Sequence, residues 1–150
     1  MPSRRAVVIR RVGGWATAAP SAIWTTAAAS RRAASARRCA RGLRIAALWA
    51  SPWCRTRETA ALAFAGQPVQ DQPAFASFFD EPARREAQTA AAQALLRRWH
   101  SGRSAPGLLV VVTHQVNITA LTGIHPASGE GVQLRWQGGA WQVAGRIAPP

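Results

Sequence analysis

The chain has 150 residues, 48% of them apolar, and a formal net charge of +13. That length bounds it to one domain with enough apolar material for a core. No stretch nears the ~20 apolar residues of a membrane span, and the two cysteines, Cys39 and Cys54, make no metal-ligating pattern.

The charge is uneven. Residues 1–57 hold 12 of the 19 arginines and no acid, whereas residues 58–150 hold 7 arginines against all 6 acids, so the excess sits in the first third. Ala6–Ile9 is a short apolar strand followed by Arg10 and Arg11. From Trp15 to Gly42 the chain reads Ala, Thr, Ser and Arg, with neither strand alternation nor an amphipathic helix. Arg31, Arg32, Arg37, Arg38 and Arg41 repel one another at helical spacing, and alanine offers little area to bury. Residues 1–42 are therefore expected to form a basic, poorly ordered segment, with a strand at 6–9 as its one regular piece. Its acid-poor composition is similar to that of organelle transit peptides, and Ser3-Arg4-Arg5 is similar to a twin-arginine start. Arg10 and Arg11 interrupt the apolar stretch that a secretory signal needs. The cytoplasm is the expected compartment, with export as the alternative. Clustered arginine also attracts nucleic-acid phosphates, which sets up a rival function.

Ile45–Ala50 is an apolar run that ends at Ser51-Pro52. Ser51 is read as the N-cap and Pro52 as the first residue of a helix over 53–64. Arg55 then falls near the first turn, where unpaired N–H groups and the helix dipole favour an anion. The competing reading is a solvated arginine on a capped helix. Residues 66–79 read as loop, with Pro68 and Pro73 as breakers. Asp80 and Glu81 precede Pro82, which opens a helix running to His100 with Leu95 and Trp99 on one face. His100 suits the negative end of that helix dipole.

Ala105-Pro106-Gly107 turns into Leu108–Thr113, an unalternating apolar run typical of a strand buried on both faces. It ends at His114. In open parallel sheets ligands sit outside the carboxyl ends of strands, which makes His114 a candidate for chemistry. The helix Gln115–Thr122 stops at Gly123, and His125 precedes Pro126 as a candidate for the pocket rim. Val132–Trp136 and Trp141–Ile147 form a hairpin about Gln137-Gly138-Gly139. The whole predicts an α/β three-layer sandwich over residues 43–150, with a mostly parallel central sheet and an antiparallel C-terminal edge.

Two motifs carry a resemblance over roughly residues 43–136. Ser51-Pro-Trp-Cys-Arg55-Thr-Arg-Glu-Thr59-Ala60 and Val111-Val-Thr-His114-Gln-Val-Asn117 resemble the second and the late-histidine motifs of the histidine phosphatase (phosphoglycerate mutase-like) superfamily. The resemblance implies that Arg55 binds phosphate, that His114 contacts the phosphoryl group, and that Asn117 and Thr113 flank it as substrate contacts. It also implies a proton donor from the loop between the motifs, for which Asp80 and Glu81 are the candidates. Members open with a strand ending Arg-His-Gly, whose histidine is the nucleophile. Here Arg10 stands for the first arginine and Arg11 for the nucleophile, and the only histidines are His100, His114 and His125. The pattern is intact after residue 43 and absent just before it, as a shifted reading frame or a decayed gene over residues 11–42 would produce.

The implied chemistry is phosphomonoester hydrolysis or phosphoryl transfer, weak or absent for want of the nucleophile. No metal or organic cofactor is expected, since side chains supply the charge. The expected partner is a phosphorylated small molecule or a phosphoprotein. The rival is an anion- or nucleic-acid-binding protein driven by the basic segment.

Overall fold

The computed structural model describes residues 5–11, 44–102 and 107–148. Beyond Arg11, the expected poor order of residues 1–42 and the expected frame shift over residues 11–42 lie outside these residues. Chain order is β1 (Arg5–Arg11), β2 (Ile45–Ala50), α1 (Cys54–Ala63), β3 (Val69–Asp71), α2 (Arg85–Ser101), β4 (Gly107–Thr113), α3 (Gln115–Thr122), β5 (Gly131–Gln137) and β6 (Ala140–Ile147). Short 3-10 turns at Pro73–Phe75 and Pro82–Arg84 lead into α2.

The strands form one six-stranded sheet in the order β3-β2-β4-β1-β5-β6. β3, β2, β4 and β1 run parallel, and β5 and β6 add the antiparallel edge. The expected α/β sandwich is therefore present. The strand expected at 6–9 runs over 5–11 and lies inside the sheet between β4 and β5.

β4 shows why its sequence has no polar alternation. Leu108, Val110 and Val112 pack with Val8, Leu48 and Ala50 against Ala60, Ala63 and Phe64 of the α1 side. Leu109 and Val111 point the other way, with Val7, Ile9, Trp49, Val132 and Leu134, toward Ala92, Leu96 and Trp99 of α2 and Ile118 of α3. Each face is covered by helix, so each residue is apolar. Burying one such side chain contributes about 1.5–3 kcal/mol.

Three local expectations need correction. Ser51 does not cap α1: Trp53 is its N-cap residue, with no side-chain cap, and the helix starts at Cys54. The 66–79 stretch is not all loop, because Val69–Asp71 pairs with Leu48–Ala50. That strand is too short, and too exposed at Gln70 and Asp71, to show a period of its own. Residues 82–84 form a 3-10 turn before the helix proper, with Pro82 at its start. Gly123 does end α3, with φ 74° in the left-handed region that glycine occupies without steric cost.

Candidate active site

The site lies where β2 and β4 end side by side. The Ser51 amide donates to Val112 O at 3.0 Å, which carries the β2–β4 pairing one step past Ala50. Thr56 is fully buried, and its hydroxyl donates to Ser51 O at 2.8 Å, tying the turn after β2 to the first turn of α1. Arg55 and His114 are thereby set against each other.

Arg55 Nη2 lies 3.3 Å from His114 Nδ1, and His114 Nε2 lies 2.9 Å from Ser51 Oγ. A guanidinium can only donate, so Nδ1 accepts, the ring proton sits on Nε2, and Nε2–H donates to Ser51 Oγ. Burial first, and the Arg55 charge second, hold the His114 pKa at about 4, against 6.5 for an ordinary histidine. The ring is neutral at pH 7, chiefly because it is buried, and the contact with the Arg55 cation reinforces that.

Trp53 completes the group. Its ring meets the His114 ring in a T-shaped contact at 4.9 Å, and the Arg55 Cζ lies 4.7 Å from the Trp53 ring centroid. Yet Trp53 is 37% exposed, while His114 is 6% exposed.

The flanking polar residues are engaged with a loop. Thr113 donates its hydroxyl to Phe75 O at 2.7 Å, and Asn117 Nδ2 donates to Ala76 O at 2.9 Å. Gln88 Nε2 donates to the same Ala76 carbonyl. The Asn117 Oδ1 is buried and finds no donor among the described residues. Asp80 and Glu81 lie a few residues further along this loop and are exposed. Glu81 pairs with Arg84 at 2.8 Å.

Arg55 and His114 are thus brought together as the sequence suggested. Arg10 and Arg11 stand level with Val112 and Thr113 in the β1–β4 register, at the same end of the sheet; their side chains lie outside the described residues. His125 is exposed in the loop after α3. His100 is stacked on Trp136 at 4.6 Å, with Trp141 edge-on to it at 5.6 Å, which makes it a packing residue of the α2 end. Cys54 is a free, exposed thiol. Among the described residues no cluster of three His, Cys, Asp or Glu side chains fits a metal ion, and no helix is long and apolar enough to cross a membrane.

Sequence reasoning missed Ser51 and Trp53 as parts of this group. The signal for Ser51 was present, a hydroxyl at a strand end, but it was assigned to a cap. Trp53 carried no signal beyond its place in the motif.

No family model matches the chain, and no curated protein does. Solved structures do match. A mycobacterial glucosyl-3-phosphoglycerate phosphatase superposes with a TM-score of 0.73 at 14% identity, covering 96% of this chain and 99% of that one. The protein histidine phosphatase SixA gives a TM-score of 0.66 at 17% identity, covering 96% and 97%. A phosphoserine phosphatase mutant from Entamoeba histolytica gives 0.66 at 12% identity, covering 97% and 98%. The fold is that of the histidine phosphatases. Near-complete coverage of both chains extends the likeness well beyond the two motifs, to the sheet order and its flanking helices.

Proposed function

We propose that this chain binds phosphate monoesters at Arg55 and His114 and turns them over weakly or not at all. The observation that carries this reading is the contact between the Arg55 guanidinium and the His114 ring at the carboxyl end of β4. A planar fork and an imidazole at one point suit the oxygens of one phosphoryl group. Two structures of the same fold support the anion, the glucosyl-3-phosphoglycerate phosphatase with VO3 and SixA with tungstate.

In this reading Arg55 turns its N–H groups from His114 to the equatorial oxygens. His114, relieved of that donor, takes up a proton at Nδ1 from water as the anion enters, and that N–H then donates a hydrogen bond to the developing charge. Asn117 and Thr113 keep the pocket floor in place, with Asn117 Oδ1 as the acceptor left for substrate. Asp80 or Glu81 is the candidate acid for the leaving group. The missing part is the nucleophile. The chain has only His100, His114 and His125, and β1 ends in Arg10-Arg11. Arginine stays protonated and cannot attack phosphorus. The substrate class is a phosphorylated small molecule or a phosphoprotein.

Three measurements test the reading. Tungstate should bind wild type, and Arg55→Ala should weaken it at least about tenfold, as loss of a charge-assisted pair does. Turnover of p-nitrophenyl phosphate should be at or near background, and should rise in Arg11→His. Robust wild-type turnover abolished by His114→Ala would overturn the claim of impairment, and absence of tungstate binding would overturn the pocket. The rival reading draws on the arginines of the first third. It predicts salt-sensitive DNA binding lost on changing Arg31, Arg32, Arg37, Arg38 and Arg41 to Gln, a change that spares β1.

A further inference from the structure

We propose that Trp53 is the positioning residue of the anion site: its indole carries the Arg55 guanidinium and holds it against His114. The inference rests on the anion reading above and adds a part that the two-residue description lacks. Arg55, Trp53 and His114 form a closed triangle: Nη2 to Nδ1 at 3.3 Å, guanidinium to indole at 4.7 Å, indole to imidazole at 4.9 Å.

The triangle solves a physical problem. Arg55 is a long side chain at the start of α1, with several rotatable bonds to order before it can meet an anion. No carboxylate holds it among the described residues: Asp71, on the neighbouring strand β3, is paired with Arg57 at 3.2 Å. A carboxylate partner would compete with phosphate for the same N–H groups. An indole attracts the cation through its π face and leaves those N–H groups in the guanidinium plane available to oxygens. The same indole packs on His114 and helps to exclude water from it. Among the described residues, the charged groups facing His114 are few. α1 gives Arg55. β1 brings Arg10 and Arg11 to its level by backbone register. The turn after β2 gives the neutral Ser51, and α3 has no charged residue in Gln115–Thr122.

Trp53 is large, apolar and 37% exposed, and it makes no side-chain cap for α1. Its replacement therefore removes little from the core, so function and folding separate. The variants are Trp53→Leu, which keeps apolar bulk without a π face, and Trp53→Phe, which keeps the face. Tungstate affinity is measured by calorimetry, and the His114 ring is titrated by nitrogen NMR without ligand. Trp53→Leu is expected to bind tungstate roughly 3- to 10-fold more weakly, with the His114 midpoint moved from about 4 toward 6.5. Trp53→Phe is expected to restore most of both. Trp53→Leu with wild-type affinity and an unmoved midpoint would overturn the proposal, as would a Phe variant no better than Leu. If wild type binds no tungstate while the midpoint still moves in Trp53→Leu and returns in Trp53→Phe, the positioning stands and the anion reading fails.

Discussion

Arg55 Nη2 donates to His114 Nδ1 across 3.3 Å, joining residues 59 positions apart in the chain. The two groups that the motifs mark for a phosphoryl group bond to each other. Each meets the other's need: the guanidinium gains an acceptor, and the buried ring gains a donor that fixes its tautomer. In the proposed function, an entering phosphoryl group takes the place of His114 as the acceptor for Arg55 Nη2.

This pairing has a pH signature. With the His114 pKa at about 4 folded and 6.5 unfolded, the unfolded chain binds more protons between those values. Stability therefore falls as pH drops from 6.5 toward 4 and changes no further below that on this account. The loss is on the order of 3 kcal/mol. His114→Gln should flatten that limb of the stability curve, read from urea midpoints at a series of pH values. An unchanged slope in the variant would show that another group titrates there.

Glu130 should add a second, lower acid limb. Its carboxylate is held below the usual range, mainly by the Arg146 side chain, whose Nη2 donates at 2.9 Å. The stabilisation is present above the ordinary carboxylate value and is lost as pH falls through the depressed one. The Ala127 amide also donates to Glu130, at 2.7 Å. Glu130→Gln should remove this limb and cost about 1 kcal/mol at neutral pH. Thermal melts at pH 7 and at lower pH, compared between the two proteins, measure it.

The loop carrying Asp80 and Glu81 depends on three side chains that donate to Phe75 O and Ala76 O. Thr113→Val keeps the shape of that side chain and leaves the Phe75 carbonyl without its donor. A destabilisation of about 1–3 kcal/mol is expected, with faster amide exchange over residues 75–81. Exchange unchanged in this loop would mean that Gln88 and Asn117 suffice to hold it.

Gly107 opens β4 beside the irregular start of β2. A Cβ placed on it would stand 2.5 Å from Ala46 Cβ and 3.3 Å from Arg44 O. Gly107→Ala must therefore push β2 and β4 apart, at a cost of about 1–3 kcal/mol. A chemical-denaturation midpoint equal to wild type would show that the strand shifts freely.

Much of the fold was legible because its signals are local. The unbroken Leu108–Thr113 run, the hairpin glycines at 138 and 139, and Gly123 after α3 each state their element within a few residues. β3 was not legible, since three residues with two exposed carry no period; its strand character comes from pairing with β2. Arg55 was found because it falls in the first turn of a helix that follows an apolar strand, and His114 because it directly follows one. Ser51 was misread because its hydroxyl serves a ring just past the end of another strand, and a cap is the local use that sequence suggests. Trp53 was missed for the same reason: its contact with His114 exists only once β2 and β4 lie side by side.

The place of β1 also bears on how the chain reaches this structure. Val7 faces Leu109 on one side and Leu134 on the other, so the first strand pairs only with segments that lie far later in the sequence. The β5–β6 hairpin joins the sheet through β1 alone. Such long-range pairing slows folding, because loop closure must precede any reward from contact. On the ribosome, β1 waits as an unpaired apolar strand until β4 and β5 emerge, and chaperone demand should be highest in that interval.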